Sequence, residues 1–252
     1  MKRQFKFEGK GGEMFCLYFV QILLTMITFG IYGPWAYAKI CAYFAGKTSL
    51  DGKSFSFTGT GGEMFSLFLV QGLLTCITLG IYGAWALAKI YKYMLSKFYY
   101  DGKPFAFSGT GGELFCLFFV QILLTVITLY IYLPWAMAKI YSYLASKVDQ
   151  DGKAFSFNGK GGEMFSLFFV QLLLCGITLG IYTPWAIAKI CSYMASRAKW
   201  GDDVFAMEMA GGKVFSIMLK GILLSCITLG IYYLWYRAEL LAYEADCTAV
   251  GA

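Results

Sequence analysis

Histidine is absent from all 252 residues, which removes the commonest general base and the commonest metal ligand from any catalytic scheme. Charge is scarce: 14% of residues are charged and 59% are hydrophobic, where a soluble domain carries roughly 25% charge. Too little polar surface exists to wrap this chain as a water-soluble globule. No Cys-x-x-Cys pair occurs among the eight cysteines, Cys16, Cys41, Cys76, Cys116, Cys175, Cys191, Cys226 and Cys247. Disulfides and zinc sites need paired thiols, so the cysteines read as small buried hydrophobes, and no metal or cofactor is expected. Gly46-Lys47-Thr48 imitates the end of a phosphate-binding loop, but Cys41 stands where its first glycine must be. With no nucleophile–base pair either, an enzyme is not expected. The net charge is +6, and Lys2, Arg3 and Lys6 open the chain. That suits an anionic membrane leaflet better than a nucleic acid.

What is present is repetition. Phe5, Phe55, Phe105, Phe155 and Phe205 align without a gap, as do Trp35, Trp85, Trp135, Trp185 and Trp235. The chain therefore divides into units at 1–50, 51–100, 101–150, 151–200 and 201–252. The fifth departs most, with Lys213 for Glu13, Gly221 for Gln21 and Glu239 for Lys39, and reads as a divergent capping copy. Each unit opens on a segment such as Asp51-Gly52-Lys53-Ser54-Phe55-Ser56-Phe57. Asp-Gly signals a hairpin turn and Phe-x-Phe has strand period. A glycine-rich link then leads to Glu63, whose charge suits a helix N-terminus. Two helices follow, Met64 to about Ile81 and about Trp85 to Ser96, separated by a Gly-Ile-Tyr break.

The fold class expected is an all-α integral membrane protein: five tandem repeats of about fifty residues, each a short surface strand or hairpin plus a helical hairpin. Paired helices put all Lys- and Asp-bearing links on one side of the bilayer, with both termini cytoplasmic. The second helix is short for a span and is re-entrant or oblique.

Three residue sets are candidates for function. A polar stripe at helical spacing comprises Gln21, Thr25 and Thr28; Gln71, Thr75 and Thr78; Gln121, Thr125 and Thr128; and Gln171 with Thr178. It reads as interhelical hydrogen bonding or as pore lining. Lys39, Lys89, Lys139 and Lys189 sit inside the second helices, where they snorkel or contact lipid head groups or anions. The five tryptophans at the break suit an aromatic belt.

The string Phe-x-Phe-x-Gly-Thr-Gly-Gly-Glu (residues 55–63), Leu-Leu-Thr-x-Ile-Thr-Leu-Gly-Ile-Tyr (73–82) and Pro-Trp-Ala (134–136) resembles the YjgN-like bacterial inner-membrane proteins, domain-of-unknown-function family 898. The resemblance implies a multi-pass protein of the bacterial inner membrane and no known activity. Five like units present a periodic surface, so the functional expectation is a self-associating, lipid-organising scaffold. Its partners are anionic lipids and further copies of itself, not nucleic acid. A passive pore around a pseudo-fivefold axis is the alternative.

Overall fold

The computed structural model describes residues 2–251. Its organising element is a closed ten-stranded antiparallel barrel. In chain order the elements are β1 (Arg3–Phe7), α1 (Gly11–Ile27), α2 (Gly33–Lys47), β2 (Thr48–Leu50), β3 (Lys53–Phe57), α3 (Gly61–Ile77), α4 (Gly83–Lys97), β4 (Phe98–Tyr100), β5 (Lys103–Phe107), α5 (Gly111–Ile127), α6 (Leu133–Ser146), β6 (Val148–Gln150), β7 (Lys153–Phe157), α7 (Gly161–Ile177), α8 (Thr183–Arg197), β8 (Ala198–Trp200), β9 (Asp203–Met207), α9 (Gly211–Ile227), α10 (Tyr233–Asp246) and β10 (Thr248–Gly251).

The all-α expectation is thus wrong, and the Asp-Gly turns explain why. Asp51 and Gly52 both have positive φ, +53° and +76°, as a tight hairpin turn requires. Each such turn folds the last three residues of one unit onto the Phe-x-Phe strand of the next, as in Leu50 opposite Lys53. The strand expected at a membrane surface is half of a hairpin that crosses the unit boundary. β1 then pairs with β10, Arg3 opposite Val250, so the fifth unit closes on the first. Arg3 Nη2 meets Asp203 Oδ2 at 2.5 Å and the guanidinium covers the Trp200 ring across that seam.

A barrel of ten strands is wide enough to need large fillers. Phe5, Phe55, Phe105, Phe155 and Phe205 point inward together with Leu50, Tyr100, Trp200 and Val250. Gln150 occupies the equivalent place in the third unit, and its Nε2 donates to the carbonyls of Tyr100 and Lys103. Tyr100 Oη donates to the Leu50 carbonyl at 3.2 Å. The barrel axis is closed by side chains at this level.

Because the Asp-Gly turns occupy one rim, all five helical hairpins leave from the other. Each second helix packs on the first helix of the following unit, and α10 packs on α1. Thr60 and Thr110 start α3 and α5 with reciprocal capping bonds to Glu63 and Glu113. The first helices are 17 residues long and end at Ile27 and its equivalents, short of the Ile81 expected. Among the described residues, no helix is long and apolar enough to cross a membrane, so helix pairs that each span the bilayer are not seen.

Candidate functional site

Three constellations recur around the ring. The first is the seam between units. A Cβ placed on Gly61 would stand 2.2 Å from Trp35 Cδ1, and Gly111, Gly161 and Gly211 meet Trp85, Trp135 and Trp185 in the same way. Trp235 covers Gly11 and closes the circle. Each tryptophan also packs at 5.2–5.5 Å on a phenylalanine of the next unit, Phe65 for Trp35 and Phe15 for Trp235. Tyr32 stacks on Trp35 from the other side, and Lys39 Nζ donates to Tyr32 Oη at 3.0 Å. Lys89 and Lys189 repeat that bond, while Lys139 lies over the Tyr132 ring at 5.8 Å. The sequence-derived tryptophans and lysines are thus neighbours in one cluster, and the tryptophans act as keys between units. Glu239 of the fifth unit pairs with Lys220 of its own unit.

The polar stripe serves its own helix. Thr25, Thr75 and Thr125 donate to the carbonyls of Gln21, Gln71 and Gln121 at 2.7 Å. Thr28, Thr78, Thr128 and Thr178 bond back to the preceding turn and accept from the N–H of the tyrosine four residues on. These threonines shape the helix ends that lead into the tips. Gln21, Gln71, Gln121 and Gln171 are buried, and their Oε1 atoms lack hydrogen-bond partners.

The second constellation was not singled out from the sequence. At the base of each of the first four hairpins a glutamate accepts from a tyrosine and pairs with a cation on the partner helix. Glu113 meets Tyr143 Oη at 2.8 Å and Lys147 Nζ at 3.0 Å; Glu13, Glu63 and Glu163 do likewise with Lys47, Lys97 and Arg197. Lys147 and Tyr143 hold the Glu113 carboxyl down at about 2, while burial and the facing carboxylate push Tyr143 up to about 12. A signal existed in the repeat. Where Glu13 becomes Lys213 in the fifth unit, Lys47 becomes Cys247.

The third constellation lies on the axis. Residues spaced three and four at the end of the second helices, such as Tyr141, Leu144 and Val148, share one helical face. Above the phenylalanine floor this face lines three adjoining apolar hollows of about 490, 480 and 260 Å³; the first two share Val148 and Phe155, and the third shares Phe205 with the first and Phe5 with the second. Glu244 lines the smallest of them. Burial raises its carboxyl above the usual range, against the pull of Arg237, one face-repeat away on α10.

The hairpin tips are the most exposed apolar feature. Phe29, Leu79, Leu179 and Leu229 are 93–96% exposed and sit at φ near +50°, a region that costs a bulky residue about 1 kcal/mol. Below them Phe19, Val20, Ile22, Leu23, Met26 and Ile27 are exposed on α1, with matching residues in the other units. The accessible surface, 14074 Å², exceeds the about 11,000 Å² of a compact monomer of this mass. Four cysteines expected to be buried, Cys16, Cys76, Cys116 and Cys226, are exposed on these first helices.

Among curated relatives, the inner membrane protein YjgN of Salmonella typhimurium is 45% identical over 47 residues, 19% of this chain and 12% of that relative. The match therefore spans a small part of the relative's length. No solved structure matches. The sequence profile of a family described as bacterial protein of unknown function (DUF898) matches residues 2–70, 54–107, 102–165 and 152–208, nearly end to end over the first four units, and the chain belongs to that family.

Proposed function

We propose that the protein is a non-enzymatic, lipid-organising ring that seats its crown of helical hairpins in one leaflet of the bacterial inner membrane. The observation that carries this is the set of five tips, each presenting a bulky apolar residue, 83–96% exposed, in a strained backbone conformation. Water gives no reason to hold such a residue there; hydrocarbon does. From Phe19 to Ile27 the exposed apolar stretch of α1 measures about 12 Å by helical rise. With the turn added it matches the roughly 15 Å of one leaflet's hydrocarbon. Lys39 and its equivalents stand about 9 Å along the second helix from its start, close enough to reach anionic head groups by snorkelling. The name of the YjgN relative adds support for the inner membrane. The filled barrel weighs against the pore reading, and the pairing of the fifth unit with the first within one chain leaves no open end for head-to-tail assembly.

The test uses a cysteine-free variant reconstituted in vesicles of phosphatidylethanolamine and phosphatidylglycerol. A single cysteine at Ser54, on the barrel, should label with an impermeant maleimide, and one at Leu79 should be shielded. Equal labelling of both sites overturns the proposal. Leu79→Asp should cost about 3 kcal/mol of insertion, roughly a hundredfold in partition, read by vesicle flotation.

A further inference from the structure

Four buried amides recur at one register of the crown. Gln21, Gln71, Gln121 and Gln171 are 4–5% exposed, and each keeps an Oε1 without a hydrogen-bond partner. A buried carbonyl oxygen left unpaired calls for an explanation, and four copies make it a feature of the repeat. The fifth unit discards the amide. Gly221 stands in its place, and Tyr236, where the other units carry alanine, fills the space, its Cδ2 2.2 Å from a Cβ built on Gly221. The amide thus belongs between the two helices of its own hairpin. In the fourth unit it also lines a hollow of about 430 Å³ between α6, α7 and α8. Phe165, Phe168, Leu172, Ile187 and Ile190 form an apolar wall there, and the Thr183 hydroxyl already donates to the Gly180 carbonyl at 2.7 Å. Leu172 and Ile131, on the same wall, are 71% and 63% exposed, so the hollow opens on the apolar surface of the crown.

We propose that this hollow binds one lysophospholipid, its acyl chain against Phe168, Leu172 and Ile187 and its free glycerol hydroxyl on the Gln171 amide. An acyl chain suits an apolar wall that opens into hydrocarbon, and the volume falls within the roughly 300–1,000 Å³ of small-molecule sites. The hydroxyl is what selects the ligand. An orphaned carbonyl oxygen needs a donor, and the glycerol backbone of a diacyl phospholipid offers only ester acceptors. Loss of one chain frees a hydroxyl, which donates and accepts at once and so satisfies the amide whichever of its ends faces the hollow. The depth agrees. Gln171 stands about 9 Å along α7 from the helix end at Ile177. With the tip turn added, that is near the glycerol end of one leaflet's roughly 15 Å of hydrocarbon. The assignment rests on the seating of the crown in one leaflet, and names the lipid that one seam of the ring selects.

The experiment is photolabelling of the full chain in nanodiscs of phosphatidylethanolamine and phosphatidylglycerol. The probe is a lysophosphatidylglycerol with a diazirine in its acyl chain, and labelled positions are read by peptide mass mapping. Labelling of the tips at Leu79 and Leu229 reports seating, since hydrocarbon reaches them whether or not the hollow binds. Saturable labelling of residues 165–190 is expected above that background, displaced by unlabelled lysophosphatidylglycerol and at least tenfold less well by its 2-O-methyl ether. Gln171→Leu should weaken labelling of the hollow at least tenfold, and Ile187→Trp should abolish it by filling the space. Gln71→Leu, which removes the same amide from the second hairpin, should leave it unchanged, and circular dichroism melts report whether each variant is folded. Labelled tips beside a hollow that ignores Gln171→Leu in a folded chain, or equal displacement by the ether, would overturn the lipid assignment alone. Unlabelled tips would overturn the seating, and the assignment with it.

Discussion

A methyl group at Gly111 would stand 2.3 Å from Trp85 Cδ1 and 2.6 Å from the Trp85 backbone, whereas one at Gly112 would meet nothing within 4 Å. Gly111→Ala is therefore expected to cost about 1–3 kcal/mol by overpacking, and Gly112→Ala to be neutral or to gain up to about 1 kcal/mol in a helix. Chemical denaturation of the two variants side by side checks the contrast. The glutamate–tyrosine–cation groups make a pH prediction. Glu113 is depressed from 4.5 to about 2 when folded, and Glu13 and Glu63 are lowered too. Their contribution is present above pH 4.5 and lost as pH falls towards 2. Tyr43, Tyr93 and Tyr143 are raised from 10 to about 12, so their contribution is present below pH 10 and lost as pH rises towards 12. A melting temperature that is flat between these windows and falls outside them is the expected profile, and Glu113→Gln should blunt its acid limb. Glu244 runs the other way. Its raised carboxyl makes Glu244→Gln equal to the parent at pH 4 and more stable at pH 8.

The third tip departs from the others, with Tyr130 at φ +68° where the remaining units place glycine at +88° to +91°. Tyr130→Gly should relieve strain and raise stability by up to about 1 kcal/mol, measured by thermal melting. The helices and the turns were legible in the sequence because each carries a local signature: Thr60 three residues before Glu63, Asp51-Gly52, and the glycine after Thr78-Leu79. The strands Thr48–Leu50, Phe98–Tyr100, Val148–Gln150 and Ala198–Trp200 were not. Three residues are too few to show a period, and these four share no residue at the inward position. The reason is visible in the barrel, where Leu50, Tyr100, Gln150, Trp200 and Val250 fill one space jointly. Only their combined volume is constrained, so the repeat looks ragged at the positions where it is most tightly packed. Of the candidate sites, Trp35 and Lys39 were found by recurrence, while Glu244, which lines a hollow, was passed over because it fails to recur.

Closure of β1 on β10 and of α1 on α10 makes the chain ends equivalent to one more Asp-Gly turn. A circular permutant that joins Gly251 to Arg3 through a short turn and opens between Asp101 and Gly102 should keep the parent's circular dichroism spectrum and melt within a few degrees of it. Removal of residues 101–150 should instead lower the melting temperature sharply, since the barrel interior is filled jointly by all five units. The shared filling of the barrel has a further consequence at the level of inheritance. Near-identical tandem segments in a gene are prone to unequal recombination, which adds or drops a copy without disturbing the reading frame. Here a sixth copy would widen the ring to twelve strands around side chains sized for ten, and a four-copy ring could not admit Trp200 beside Tyr100. Every seam in such a product would still be well formed, yet its centre would be hollow or overfull. The mismatched interior thus acts as a counting device, and copy number is held by packing rather than by the fidelity of the DNA.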